Sequence, residues 1–226
     1  MNAKVMLPIE AAWKDVNDRI ARVATRGEVR LVAASKTHPP EAIRALAVCG
    51  ARAFGENYVQ EALAKQSALA GLALEWHAIG PLQSNKAREV ARRFDWLQTL
   101  DREKLIEPLA RHRDAGAVPL NVLIQVNIDD EASKSGCEPR DVPRLADLVR
   151  RQPALRLRGL MAIPAPLDLT RRREAFRRMR TLFDALAAAH AGIDTLSMGM
   201  SDDFEVAIEE GATMVRLGTA LFGKRT

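Results

Sequence analysis

Residues 120–161 read LNVLIQVNIDDEASKSGCEPRDVPRLADLVRRQPALRLRGLM. Leu120–Val126 is an aliphatic, β-branched run of strand length. Pro139–Arg150 places apolar residues at helical spacing, with proline at its start, where a helix tolerates it. Leu155–Met161 is a strand again. A strand, a crossover helix and a second strand pair the strands in parallel, and parallel sheets are covered by helices on both faces.

The same alternation extends both ways along the chain. Strands are expected at Val29–Ala34, Ala51–Phe54, Leu74–Ile79, Trp96–Leu100, Thr195–Met198 and Met214–Leu217. Helices are expected at Pro39–Val48, Tyr58–Ala68, after Ser84, after Asp101, through the Arg-rich stretch to His190, and at Asp202–Glu210. Ala11–Ala24 reads as an additional N-terminal helix. Eight β–α repeats of roughly 25 residues point to closure into a single (β/α)8 TIM barrel of the α/β class, spanning residues 1–226 as one domain. The alternative is an open doubly wound sheet. No GxGxxG follows the first strand, which weakens its dinucleotide-binding version.

Composition narrows the function classes. Hydrophobic residues make up 47% of the 226 residues, enough for a sizeable core. No apolar run approaches the roughly 18 residues of a membrane span. The N-terminus turns charged too early for a secretory signal, so a cytoplasmic protein is expected. Cys49 and Cys137 form no CxxC pair, and neither a disulfide framework nor a metal site is expected. The net charge of +5 is concentrated at Arg171, Arg172, Arg173, Arg177, Arg178 and Arg180. These read as a solvated helix face, because the interleaved aromatics of a nucleic-acid binder are absent.

In such a barrel the chemistry sits at the C-terminal ends of the strands. Strand one delivers Ser35-Lys36-Thr37 there, strand two Gly55-Glu56-Asn57, strand seven Gly199-Met200-Ser201, and strand eight Arg216-Leu217-Gly218-Thr219. A lysine at an apolar mouth sheds part of its hydration, and an amine so placed can form a Schiff base with a carbonyl. Ser201 reads either as a helix N-cap or as a phosphate ligand. Gly218 and Thr219 follow a strand where backbone N–H groups can approach an anion. Loops after strands seven and eight often make a phosphate site in barrels. A Schiff-base lysine opposite a phosphate cradle is the arrangement pyridoxal 5′-phosphate requires.

Arg216 shares the face of Gly218. It is expected either to pair with a carboxylate such as Glu56 or to donate to the pyridine nitrogen. In the second case the ring stays unprotonated and is a weak electron sink. His77 reads as a satisfied core histidine, Met198 and Met200 as packing residues, and the cluster around Lys86 and Arg88 as a solvated helix start or a second anion site.

These motifs resemble one family. Ser35-Lys36-Thr37, Phe54 to Glu61, Trp76 to Lys86, Gly159-Leu160-Met161, Ser197 to Asp203 and Val215 to Ala220 are similar, in the same order, to segments of the pyridoxal phosphate homeostasis proteins. The likeness runs from about Val29 to Gly223. It implies a fold like the N-terminal barrel of alanine racemase and a role in vitamin B6 balance without established catalysis. It also implies that Lys36 carries the cofactor, that Ser201, Gly218 and Thr219 hold its phosphate, that Arg216 faces the ring nitrogen and that Asn57 lies near the ring. His38 and Ala78 depart from the family pattern, where a lysine and an aromatic residue are frequent.

Three functions compete. The first is a non-catalytic holder of pyridoxal phosphate, expected as a monomer, with apo-enzymes that need the cofactor as candidate partners. The second is an amino-acid racemase, which needs an acid or base on each face of its substrate. The chain stops soon after strand eight, and Tyr58, the only tyrosine, is poorly placed to be the second base. The third is an aldolase using Lys36 on a sugar phosphate.

Overall fold

The computed structural model describes residues 3–129 and 135–223. Eight strands close in sequence order: β1 (Arg30–Ala34), β2 (Ala53–Glu56), β3 (Glu75–Ala78), β4 (Trp96–Leu100), β5 (Leu120–Gln125), β6 (Leu155–Met161), β7 (Thr195–Ser197) and β8 (Met214–Leu217). Every pairing is parallel, and β8 meets β1 with Val32 beside Arg216. This is the expected (β/α)8 barrel.

The helices are α1 (Ala3–Val23), α2 (Pro40–Val48), α3 (Val59–Ala68), α4 (Ala87–Arg93), α5 (Ile106–His112), α6 (Val142–Arg150), α7 (Leu169–Ala189), α8 (Phe204–Glu209) and α9 (Thr219–Phe222). No helix among the described residues is long and apolar enough to cross a membrane.

Strand side chains alternate between two apolar layers. Val32, Ala53, Trp96, Leu123, Met161 and Met214 fill the barrel. Ala33, Phe54, Leu97, Val122, Leu160 and Val215 join the larger layer under the helices. Two-sided burial explains why these strands read as continuous apolar runs. α1 adds Ile9, Val16 and Ile20 to that layer and packs on α2, α8 and α9, beside the seam where β8 closes on β1.

Three expectations need correction. α1 begins at Ala3 rather than Ala11 and runs through Pro8, where the helix forgoes one backbone hydrogen bond. β2 begins at Ala53 because Ala51 closes the turn that ends α2, its N–H donating to the Leu46 carbonyl at 3.0 Å. The arginines of α7 are not simply solvated. Arg172 donates to Asp203 Oδ2 at 2.9 Å, Arg173 to Glu209 and Glu210 at 2.6 and 2.7 Å, and Arg177 to Glu210 at 3.1 Å. The basic helix is matched to the acidic α8 beside it.

Candidate functional site

The six candidate binding residues emerge from four adjacent strands. Ala34 pairs with Gly55, so Lys36 and Asn57 leave β1 and β2 side by side. Both are half-buried. The exits of β1 and β8 touch: a Cβ placed on Gly218 would lie 3.2 Å from the Ala34 carbonyl oxygen. The β7 and β8 loops touch as well, because Ser201 Oγ accepts the Ala220 N–H at 3.2 Å. A hydroxyl that accepts there keeps its own proton to donate. Lys36, Asn57, Ser201, Arg216, Gly218 and Thr219 therefore share one segment of the rim.

Ser201 is not the cap of the helix that follows. Asp203 precedes α8 directly, takes the Met200 N–H on Oδ1 at 2.7 Å and Arg172 on Oδ2, and is buried. With Asp203 bracing that loop, the Ser201 hydroxyl turns to the first turn of α9. Met198 is packed in the core, whereas Met200 is 37% exposed at the rim; packing describes only the first of the pair.

Arg216 is 4% exposed, and its partner is not Glu56. Glu56 follows inward-facing Gly55 and so points to the helix layer, where Ser35 Oγ and Lys65 Nζ donate to it at 2.6 and 2.8 Å. Arg216 donates instead to Ser197 Oγ at 2.7 Å and to the Ala162 carbonyl at 3.0 Å, both uncharged. Burial lowers its pKa to about 10 against the opposing pull of Asp203, so it stays cationic at neutral pH.

From Arg216 a hydrogen-bonded chain descends through the barrel. Ser197 Oγ donates to Gln98 Oε1 at 2.7 Å, and Gln98 Nε2 lies 2.9 Å from His77 Nδ1. His77 Nε2 lies 2.5 Å from Glu75 Oε1. The amide N–H must donate to Nδ1, which assigns the imidazole proton to Nε2 and aims it at Glu75. His77 is fully buried, stacks on Trp96 with ring centroids 5.3 Å apart, and burial lowers its pKa. It is the satisfied core histidine expected. Every donor in the chain points away from Arg216 and towards Glu75.

Gln98, Ser197 and Lys65 were missed by the reading of the sequence. Gln98 and Ser197 were legible in principle, as polar residues within apolar strands. The rim continues past Asn57 into a groove of about 560 Å³ lined by Tyr58, Val59, Pro81 and Lys86 among others. Tyr58, just before α3, is 65% exposed.

The model of the alanine racemase N-terminal domain family matches residues 11–226. A pyridoxal phosphate homeostasis protein of Pseudomonas aeruginosa is 52% identical over 223 residues, covering 93% of this chain and 96% of that protein. The chain belongs to the pyridoxal phosphate homeostasis protein family. Among solved structures, PipY of Synechococcus elongatus PCC7942 with PLP bound superposes with a TM-score of 0.80 at 37% identity, over 92% of this chain and all of that one. Alanine racemase of Corynebacterium glutamicum gives a TM-score of 0.71 at 18% identity, over 97% of this chain and 62% of that one. At that distance the likeness is one of fold. The homeostasis protein family thus shares the racemase barrel.

Proposed function

We propose that this homeostasis family member binds pyridoxal 5′-phosphate covalently through Lys36 and holds it without substantial turnover, as one cytosolic barrel domain over residues 1–226. The observation that carries the reading is the contact between Ser201 and the start of α9, which draws two phosphate-capable loops together beside the exit of β1. Gly218 fits the role. Its missing side chain lets the loop lie against the β1 exit, where a Cβ would come within 3.2 Å of the Ala34 carbonyl oxygen, and a helix start leaves backbone N–H groups without internal acceptors. Ser201 would donate to the phosphate, Arg216 to the ring nitrogen, and Asn57 would lie beside the ring.

When bound, the cofactor supplies an aldehyde that condenses with an amine and a ring that withdraws electrons. The protein restrains the second property. Arg216 is a cation with neutral partners, so it offers the ring nitrogen a donor and no negative charge. Carbanion chemistry at a bound amino acid is then poorly supported, which favours holding over racemization. Apo-enzymes that need the cofactor are the proposed recipients, and the carrier is proposed to be monomeric.

Incubation of the loaded protein with L- and D-alanine, followed by chiral analysis, tests the reading. Negligible interconversion is expected. Turnover near 1 s⁻¹, the low end of ordinary enzymes, would restore the racemase. A protein that gains no visible absorbance with the cofactor would remove both.

A further inference from the structure

Lys36 lies in a tight turn that the helix layer grips on both sides. The His38 N–H donates to the Ser35 carbonyl at 3.0 Å, which makes Lys36 and Thr37 the central residues. Thr37 has φ +66°, the left-handed region that a β-branched residue avoids. Such a turn asks for glycine or asparagine at its third position, so the surroundings must impose it.

The structure supplies the restraint. Lys65, on α3, is 4% exposed and has three N–H donors. They go to the Ser35 carbonyl at 2.8 Å, Glu56 Oε1 at 2.8 Å and Glu61 Oε1 at 2.6 Å. Glu56 also takes the Ser35 hydroxyl at 2.6 Å, and Glu61 takes the Thr37 N–H at 2.6 Å. One cation and two carboxylates thus hold the residue before Lys36 by its carbonyl and hydroxyl, and the residue after it by its amide. Ser35 points to the helix layer, and Lys36 follows it at the first central position of the turn, beside the exit of β2.

We infer that Lys65 is a positioning residue for Lys36: with Glu56 and Glu61 it fixes the strained turn that presents the Lys36 amine to a bound aldehyde. Lys65 is not itself the reacting amine, because its donors are spent on two carboxylates and a carbonyl. The inference rests on the proposed cofactor reading, yet the clamp can also be observed without cofactor.

The test uses Lys65→Met and the milder Glu61→Ala, each in the full chain and again in a Lys36→Ala background. Without cofactor, hydrogen exchange over residues 35–38 should accelerate in both variants while the midpoint of unfolding of Glu61→Ala moves little. With pyridoxal phosphate, each variant should lose about tenfold in affinity when Lys36 is present, the worth of one charge-assisted hydrogen bond, and change less than about twofold when it is absent. An equal loss in both backgrounds would reduce the cluster to a fold-stabilising role and overturn the inference. So would unchanged exchange over 35–38. If the wild-type chain binds no cofactor although exchange accelerates as stated, the binding reading fails and the clamp on the turn stands.

Discussion

Arg216 carries a positive charge to the barrel mouth with only a hydroxyl and a carbonyl to meet it. Its nearest carboxylate along the hydrogen-bonded chain is Glu75, four links away through Ser197, Gln98 and His77. Arg216→Glu should favour protonation of the ring nitrogen of bound cofactor and raise any trace turnover of alanine. A fall in trace turnover with cofactor still bound would contradict the electronic role. Ser201→Ala should weaken cofactor retention about tenfold, one charged hydrogen bond being worth roughly 1.5–3 kcal/mol, and equilibrium dialysis reads this directly. The other end of the chain predicts an acid sensitivity. His77 is buried neutral, so its contribution is complete above the ordinary histidine pKa of about 6.5 and is lost as pH falls below it. Burial pushes the Glu75 carboxyl up, but His77 and Arg30 outweigh it and hold it at about 2, so its share is lost below the ordinary carboxylate range. Thermal unfolding should therefore drop in two stages on acidification, and His77→Gln should remove the first. The candidate rim residues were legible because each stands at a strand end beside small or polar neighbours. Gln98 and Ser197 stand out only as polar residues within apolar strands, and their pairing across 99 residues was not legible; nor was the role of Lys65, because the Ser35 carbonyl it holds lies 30 residues away.

At the scale of elements, β6 shows what alternation of strand and helix does not reveal. Its register against β5 slips between Val122 and Leu123, and Gly159 takes φ +149° at the shifted stretch. A Cβ there would sit 1.9 Å from the Thr195 carbonyl oxygen. Gly159→Ala should cost about 3 kcal/mol or more, since both backbone and neighbour would have to move; urea unfolding measures it. The strands themselves were legible to within two residues at each end, since two-sided burial writes them as apolar runs. The start of α1 was not, because Pro8 reads as a boundary although the helix runs through it. The charge of α7 was legible but its partners were not, because α8 follows it only after a further strand and loop.

For the whole molecule, eight repeats of strand and helix were enough to specify closure, because each strand needs cover on both faces and a neighbour on both edges. Closure brings β8 beside β1, which sets the loops of Ser201 and Gly218 next to Lys36. The candidate site is therefore a consequence of topology more than of local sequence. Binding at this seam should stabilise the entire barrel, by about 2.7 kcal/mol at a cofactor concentration one hundred times Kd. The most direct test of the account is reduction of the cofactor-loaded protein with borohydride, followed by peptide mapping. The account predicts a single reduced pyridoxyl adduct, on Lys36. An adduct on Lys86 or Lys65 with Lys36 unmodified would contradict it.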